Sequence, residues 1–423
     1  MGEAVVKAKV LANKRASILL LCALILSYTF MNMTRNCFSS AMVFIVEEGT
    51  MTKSQTGSIV AVFYLVYAFA QLVGGVITDK CSPEHLITLG YVGAGICNLA
   101  VYFNQNFTFV MVIWVLNALV QFAVWPAVFK VSSAMLKEEH RGGALFLITF
   151  AIPLGMVINY AVAALISDWR LNFLISAVGL ALSALIWEAA LLGVRAHILQ
   201  TELSLPDAPV HTHYDKTQKN TSLIALLATS GMLFYFVVML TRSIFDNGLK
   251  TLVATMINEN YTTVNPVLAT ALTIIILVMG ALGPTLAHRL YPRVVKNEIS
   301  ATIVLFAIGS PFGILLLLTG KISYWWIVIF LSILVLTMNA ALLLSSYIAA
   351  RFNKWGKGAT LASAINTMSS LGIVISNFVF TRTAEISWKL TIWIWVVLLV
   401  ISNVILLVIS PIWKKFLRTK YYY

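Results

Sequence analysis

The sequence predicts an all-α membrane protein of twelve transmembrane helices, arranged as two pseudo-symmetric six-helix bundles. Three observations predict this fold class. Hydrophobic residues make up 60% of the 423 residues and charged residues only 11%, whereas soluble domains average about 25% charged residues. Apolar runs long enough to cross a bilayer recur along the whole chain. A Tyr-x5-Thr-Arg string occurs twice and ends at Arg35 and at Arg242, 207 residues apart.

The apolar runs are bounded by charged or turn residues, and each approaches or exceeds the roughly 20 residues that cross about 30 Å of hydrocarbon. A long polar stretch, 195–221, follows the sixth run, and we interpret it as a cytoplasmic linker. The predicted domains are therefore an N-terminal six-helix bundle, 1–194, and a C-terminal six-helix bundle, 222–423. The predicted spans are 17–45, 55–79, 84–103, 108–136, 143–166, 171–194, 222–248, 264–287, 299–319, 324–350, 359–381 and 389–412.

The distribution of lysine and arginine orients these spans. Of the 29 basic residues, 20 fall on the side that holds both termini, six on the other side and three within spans. Because basic loops remain in the cytoplasm, we expect both termini to be cytoplasmic and the protein to lie in the inner (cytoplasmic) membrane. The net charge of +13 is then explained by topology and by lipid headgroups, and a nucleic-acid partner is not needed. The first apolar run is too long for a signal-peptide core, so we expect it to stay in the protein.

Motifs of enzymes and cofactor sites are absent from the sequence. It has no Cys-x-x-Cys, His-Glu-x-x-His or Gly-x-x-x-x-Gly-Lys string, and its six histidines are scattered. We therefore predict no metal, no cofactor and no enzymatic activity. The four cysteines all fall in the first quarter of the chain, three of them within predicted spans, which argues against a disulfide framework.

Arg35 and Arg242 carry the functional prediction. Each lies in the middle of an apolar run, where a permanently charged guanidinium costs about 2.5 to 3.5 kcal/mol or more. Two such groups, one from each half, match the several acceptor oxygens of a tetrahedral dianion. The alternative is structural, in which backbone carbonyls and Asp246, one turn after Arg242, neutralise the arginines. Asp246 is also a candidate for gating or coupling.

Tyr28 and Tyr235 lie seven residues before the two arginines, hence on the same helical faces. Their hydroxyl groups would steady a substrate or close its exit, or the rings would simply pack between helices. Asn366, in the eleventh span, is a candidate ligand, although asparagines in spans more often join helices together. Glu188, near the end of the sixth span, is an interfacial partner of Arg195 or, alternatively, a proton carrier.

Several strings resemble known transporters. The loop GGVITDKCSP, with Gly75, Asp79 and Lys80, matches the Gly-x-x-x-Asp-Arg/Lys motif of the major facilitator superfamily, although its counterpart in the second half has Ala287 in place of the acid. The runs YTFMNMTRNCFSSAMVFIVEEGTMTKSQTGSIVAVFYLVYAF, VWPAVFKVSSAMLKEEHRGGA and FVVMLTRSIFDNGL resemble the organophosphate:phosphate antiporter family, which includes glycerol-3-phosphate and hexose-phosphate transporters. The resemblance extends over essentially the whole chain. It implies the major facilitator fold, with gating roles for Asp79 and Lys80.

The resemblance also implies which residues bind substrate. Arg35 and Arg242 stand where that family has two phosphoryl-binding arginines. Tyr67 matches a family tyrosine, and Gln71 stands where the family has a lysine. Lys130 matches a family arginine, although it lies close enough to the cytoplasmic end of its span to extend into the headgroups.

Two further positions compare this chain with the family: Arg141 extends the match, and Ile152 departs from it. Arg141 matches an Arg-Gly loop and is either a gating residue or a turn with headgroup contacts. Ile152 replaces a cavity histidine of the family. With Gln71 and Ile152 in place of two cationic groups, we predict a bulkier or partly apolar organic anion as substrate rather than glycerol 3-phosphate.

The sequence and the resemblance therefore predict a secondary active transporter that moves an organic phosphate or similar small anion by alternating access. The resemblance to facilitator transporters also implies a monomer. Inorganic phosphate is the expected counter-substrate, because an empty cavity would have to reorient with two unpaired cations. One alternative is a proton- or sodium-coupled symporter for organic acids such as sugar acids, which would need a titrating carboxylate. A second alternative is a transporter-like sensor of sugar phosphates.

Overall fold

The structure, a computed structural model, describes residues 14–135, 138–166, 168–200, 222–291, 293–355 and 357–421. Within these ranges the chain forms sixteen α-helices and no strand. The first eight are α1 (Lys14–Arg35), α2 (Cys37–Glu48), α3 (Lys53–Lys80), α4 (Pro83–Phe103), α5 (Phe107–Gln121), α6 (Val124–Met135), α7 (Glu138–Leu165) and α8 (Trp169–Gln200). The others are α9 (Leu223–Ser230), α10 (Met232–Asn260), α11 (Pro266–Ala281), α12 (Gly283–Leu290), α13 (Glu298–Leu315), α14 (Tyr324–Arg351), α15 (Gly358–Ile386) and α16 (Trp388–Tyr421).

Ten helical segments of the described residues are long and apolar enough to cross a membrane. The two other predicted spans correspond to α3 and α7, which are 28 residues each and contain side chains outside the described part of the structure. Each of the twelve predicted spans thus corresponds to helix. The prediction of an all-α, multi-pass membrane protein is confirmed.

Several predicted spans are interrupted where the prediction has one continuous helix. The first breaks at Asn36, between α1 and α2, and the fourth breaks between α5 and α6, just before Pro126. Proline lacks a backbone N–H group and clashes with the preceding turn, which explains the second break. The seventh span breaks at Gly231, whose φ of 77° lies in the left-handed region that glycine adopts most readily.

Two predicted ends were wrong by nine residues or more. The seventh span continues to Asn260 rather than 248, and the twelfth continues to Tyr421 rather than 412. In both cases polar and charged residues lower the hydropathy before the helix ends, because backbone hydrogen bonding does not require apolar side chains. Hydropathy locates the apolar part of a helix, and capping groups set its ends: Asn265, for example, accepts a hydrogen bond from the backbone N–H of Leu268 at the start of α11.

The chain divides into two compact units, Met1–Ala41 with Val66–Val210, and Met42–Leu65 with His211–Tyr423. In the second unit, the start of α3 is bound to α10 and α15: the Lys53 Nζ lies 2.8 Å from Glu259 Oε2 and 3.2 Å from the backbone oxygen of Ala384. The predicted linker, 195–221, lies mostly outside the described residues, and its bounds stay a prediction.

The core of the first unit packs α1 directly against α7 and α8. Gly155 of α7 permits this approach, because a Cβ atom there would lie 2.4 Å from the Thr29 carbonyl oxygen and 2.8 Å from the Met33 nitrogen, both backbone atoms of α1. The contact fixes the stretch of α1 that ends in Arg35.

Gly155→Ala is therefore expected to force α1 and α7 apart and to destabilise the protein by about 1 to 3 kcal/mol, as overpacked interiors do. The measurement is the melting temperature of the purified protein in detergent. Gly193→Ala is the matched control, because a Cβ atom there meets only Leu19 Cδ2, at 3.4 Å. Equal melting temperatures for the two variants would contradict the close packing.

Candidate functional site

Arg35, at the last position of α1, is buried at 9% exposure. Its Nε donates a 2.6 Å hydrogen bond to Oε1 of Gln121, and Gln121 Nε2 donates to Oδ1 of Asn117 at 2.6 Å. The guanidinium also lies over the ring of Tyr67, 4.7 Å from its centroid, a favourable cation–π geometry. The phenol of Tyr28 interacts with the same guanidinium. The structure thus brings together three residues predicted from the sequence, Arg35, Tyr67 and Tyr28.

A polar cluster supports the helix break beside Arg35. Asn159 Nδ2 donates to the backbone oxygen of Met33, and its Oδ1 accepts from the Ser40 hydroxyl. Asn172 Nδ2 donates to both Ser40 Oγ, at 3.0 Å, and Asn159 Oδ1, at 3.1 Å. Because a helix break leaves backbone groups without their usual partners, the bond from Asn159 compensates for part of the break, and Asn172 holds Asn159 and Ser40 in place.

Arg242, in the middle of α10, is buried at 4% exposure. Its Nη1 donates to the backbone oxygen of Met338 at 3.4 Å and lies 3.8 Å from Oδ2 of Asp246. Its Nε has no hydrogen-bond partner among the described residues. The alternative in which a backbone carbonyl and Asp246 neutralise Arg242 is therefore only partly supported. Both groups lie near Arg242, but neither makes a short bond to it. Tyr235 is buried seven residues earlier on the same helix.

The short hydrogen bond of Asp246 is to Lys250 rather than to Arg242. Its Oδ2 accepts a 2.7 Å hydrogen bond from Nζ of Lys250, one turn further along α10. Its Oδ1 has no hydrogen-bond partner among the described residues. A single carboxylate thus lies between two cations and is bonded mainly to the lysine.

Lys130 is half-buried on α6, and its Nζ donates to the backbone oxygen of Thr78 at 2.6 Å. It therefore contacts the last turns of α3. The side chains of Gln71, Asp79, Lys80 and Arg141 lie outside the described part of the structure, so their predicted roles stay predictions.

Three further predicted positions, Asn366, Ile152 and Glu188, have side chains within the described part of the structure. Asn366 on α15 and Ile152 on α7 are exposed, and Glu188 accepts a hydrogen bond from the Thr88 hydroxyl. Cys22, Cys37, Cys81 and Cys97 are free cysteines.

Sequence reasoning missed Gln121, Asn117 and Lys250. Asn117 and Gln121 are two amides one turn apart in an apolar run, a spacing that signals a polar stripe within a helix. Lys250 follows Asp246 by four residues, the spacing of a helical ion pair, but the predicted span ended before it.

A multi-pass helical membrane protein with buried arginines in its spans has the features of a membrane transporter rather than of a soluble enzyme. The sequence profile of the Major Facilitator Superfamily matches residues 24–377. The chain therefore belongs to the Major Facilitator Superfamily, a superfamily of secondary transporters and not of enzymes. The predicted superfamily and fold are confirmed.

Curated relatives match part of the chain. It is 29% identical over 154 residues to the membrane sensor protein UhpC of Escherichia coli (strain K12), covering 36% of this chain and 35% of the relative. It is 25% identical over 120 residues to a probable hexose phosphate transport protein of Chlamydia trachomatis, covering 28% and 26%. It is 21% identical over 135 residues to the glycerol-3-phosphate transporter of Bacillus subtilis (strain 168), covering 31% and 30%. The matches thus span between about a quarter and a third of these relatives' length. They confirm the resemblance to organophosphate transporters over 28 to 36% of this chain, and its extent over the whole chain stays a prediction.

Solved structures are similar over nearly the whole chain. A bacterial homologue of the human lysosomal transporter Spinster, in an inward-facing and occupied conformation, has a TM-score of 0.74 at 16% identity, covering 96% of this chain and 99% of that one. A POT family transporter in complex with a thioalcohol-conjugated peptide has a TM-score of 0.69 at 14% identity, covering 94% and 96%. At these identities the likeness supports the fold alone.

Proposed function

We propose that this protein is a secondary active transporter that moves an organic phosphate or similar small organic anion across the cytoplasmic membrane by alternating access, in exchange for inorganic phosphate. The observation that carries the proposal is the pair of buried arginines, Arg35 and Arg242, at matching places in the two halves. A buried guanidinium requires compensation, and an anionic substrate would provide it.

The chemistry of the two arginines favours a phosphoryl group. A guanidinium fork makes charge-assisted, bidentate hydrogen bonds to phosphate and carboxylate oxygens. Gln121 and the Tyr67 ring hold Arg35 in place without neutralising its charge. Relatives with hexose phosphate and glycerol-3-phosphate in their names support this substrate class.

The charges of the two arginines also favour exchange over net transport. Return of an empty carrier would require both halves to move with a buried arginine each and no substrate anion, whereas a carrier that holds an anion in both directions avoids this state. We further propose that the protein works as a monomer with both termini in the cytoplasm, and that residues 195–221 link its two six-helix bundles. With Gln71 and Ile152 at two positions where the family has cationic side chains, the substrate is a bulkier or more apolar anion than glycerol 3-phosphate.

Counterflow in proteoliposomes tests the proposal. Vesicles loaded with unlabelled inorganic phosphate are expected to accumulate labelled phosphate or labelled sugar phosphate, and vesicles without internal phosphate are not. Accumulation that needs a pH or sodium gradient instead of internal phosphate would contradict exchange and support a symporter. A symporter is disfavoured by the bonds of its candidate carboxylates, since Asp246 is paired with Lys250 and Glu188 is bonded to Thr88.

The second candidate function is sensing of a sugar phosphate. The similarity to the membrane sensor protein UhpC, at 29% identity over 154 residues, favours it. The same vesicles separate the two functions: a sensor binds sugar phosphate without accumulating it inside, whereas a transporter accumulates it.

A further inference from the structure

Three charged residues form a row along one face of α10. Arg242, Asp246 and Lys250 follow one another at intervals of four residues, so their side chains are neighbours on the helix surface. The side chains of Arg242 and Asp246 are 4% and 10% exposed, and that of Lys250 is 19% exposed. One carboxylate is therefore shared by two cations in a largely buried setting.

The distances show which cation holds the carboxylate. Asp246 Oδ2 lies 2.7 Å from Lys250 Nζ but 3.8 Å from Arg242 Nη1. The first distance is that of a charge-assisted hydrogen bond, and the second is too long for one. Lys250 thus draws the carboxylate towards its own end of the row.

This arrangement leaves the guanidinium incompletely bonded. Arg242 Nε and Asp246 Oδ1 both have no hydrogen-bond partner among the described residues, although both atoms are buried. A carboxylate and a guanidinium four residues apart on a helix readily pair with each other. Without the lysine, Asp246 is the nearest anion to satisfy Arg242, and it would occupy the donors that an incoming anion needs.

We propose that Lys250 is a positioning residue that keeps Asp246 away from Arg242, so that Arg242 remains available to bind a phosphate-like anion. The inference rests on the proposed function, in which Arg242 contacts the substrate. Lys250 acts on the substrate site through Asp246. It sets substrate affinity by removing an internal competitor for the arginine.

The test is a rescue experiment on the full-length protein. Inorganic phosphate is the probe, used in two measurements: thermal stabilisation of the purified protein, which gives an affinity, and phosphate exchange in proteoliposomes, which gives KM and kcat. Lys250→Gln is expected to weaken phosphate affinity and to raise KM about tenfold, with a smaller change in kcat. Lys250→Arg keeps the cation beside Asp246 and is expected to retain near-normal affinity.

The double variant Lys250→Gln with Asp246→Asn distinguishes the proposed role of Lys250 from a purely structural one. Removing the competing carboxylate is expected to restore phosphate affinity to within about threefold of the original, because Arg242 then has no internal anion in its place. If the role of Lys250 were purely structural, removing the charge of Asp246 as well would not restore phosphate affinity. Lys321→Gln, at an exposed lysine, controls for the loss of a positive charge as such.

The outcomes separate this inference from the proposed function. If the double variant is as impaired as Lys250→Gln, or if Lys250→Gln binds phosphate normally while Arg242→Lys does not, the role of Lys250 is overturned and the anion site stands. If Arg242→Lys binds phosphate as well as the unaltered protein, the site itself is wrong. Absence of any phosphate binding by the unaltered protein overturns both.

Discussion

Arg35→Lys and Arg242→Lys are each expected to lower phosphate exchange, measured as kcat/KM in proteoliposomes, by about a hundredfold or more. Lysine keeps the positive charge but loses the planar fork and the Nε donor. At Arg35 the substitution removes the 2.6 Å bond from Nε to Gln121 and the stacking on Tyr67. At Arg242 it removes the guanidinium whose Nε has no partner among the described residues.

Arg382→Lys is the matched control for this experiment. Arg382 lies on α15, is exposed, donates to the backbone oxygen of Phe378 at 2.9 Å and lies over the Phe378 ring, 4.1 Å from its centroid. We expect this variant to exchange phosphate normally. Undiminished exchange by both Arg35→Lys and Arg242→Lys would rule out a bidentate arginine clamp, while loss in only one would place the phosphoryl group in a single half.

The fold was largely predictable from the sequence because membrane insertion depends on long apolar segments, which hydropathy measures directly. The interruptions at Asn36 and Gly231 were not predicted, since a break inside an apolar run leaves the hydropathy of the run unchanged. The glycine at position 231 is the sequence feature that could have indicated the break there, because glycine adopts a positive φ at little cost. The backbone beside the break at Asn36 is bonded by Asn159, which is more than a hundred residues away in sequence.

The candidate site was predictable only in part, for a similar reason. Arg35 and Arg242 are conspicuous because charge is rare inside spans. Their partners are ordinary residues that become significant through tertiary contact: Gln121 reaches Arg35 from α5, and the Met338 carbonyl reaches Arg242 from α14. Lys250 was within reach of sequence reasoning by its spacing from Asp246, but the row of charges is informative only when the distances within it are known.

A second carboxylate, Glu298, has a structural role with a large expected effect. It begins α13 with a fully buried side chain, and its Oε1 accepts hydrogen bonds from Arg351 Nε at 2.8 Å and from the Tyr291 hydroxyl at 2.6 Å. Trp413 Nε1 approaches the other oxygen at 3.3 Å. The carboxylate therefore ties together the start of α13, the end of α14, α16 and the segment that precedes α13.

Glu298→Ala is expected to lower the free energy of unfolding by about 2 to 3 kcal/mol, because it leaves the donors of Tyr291, Trp413 and Arg351 without their buried acceptor, while Arg351, whose side chain is 34% exposed, is partly solvated. The measurement is the melting temperature of the purified protein in detergent. Glu298→Gln keeps an acceptor oxygen and loses the charge, so its effect is expected to be intermediate. Glu84→Ala is the control, since Glu84 is also in the first turn of a helix, α4, but is only half-buried and is expected to cost about 1 kcal/mol or less.

The pH dependence of stability provides an independent check on this cluster. Burial raises the pKa of Tyr291 above its ordinary value of 10.0, and the adjacent Glu298 carboxylate raises it further. Because the pKa of the folded state is the higher one, the stabilisation from the phenol is fully present below the ordinary pKa and is lost as pH rises through the folded value. Melting temperatures of the unaltered protein and of Tyr291→Phe are therefore expected to converge above pH about 10. A constant difference across that range would mean that the Tyr291 hydroxyl does not donate to Glu298.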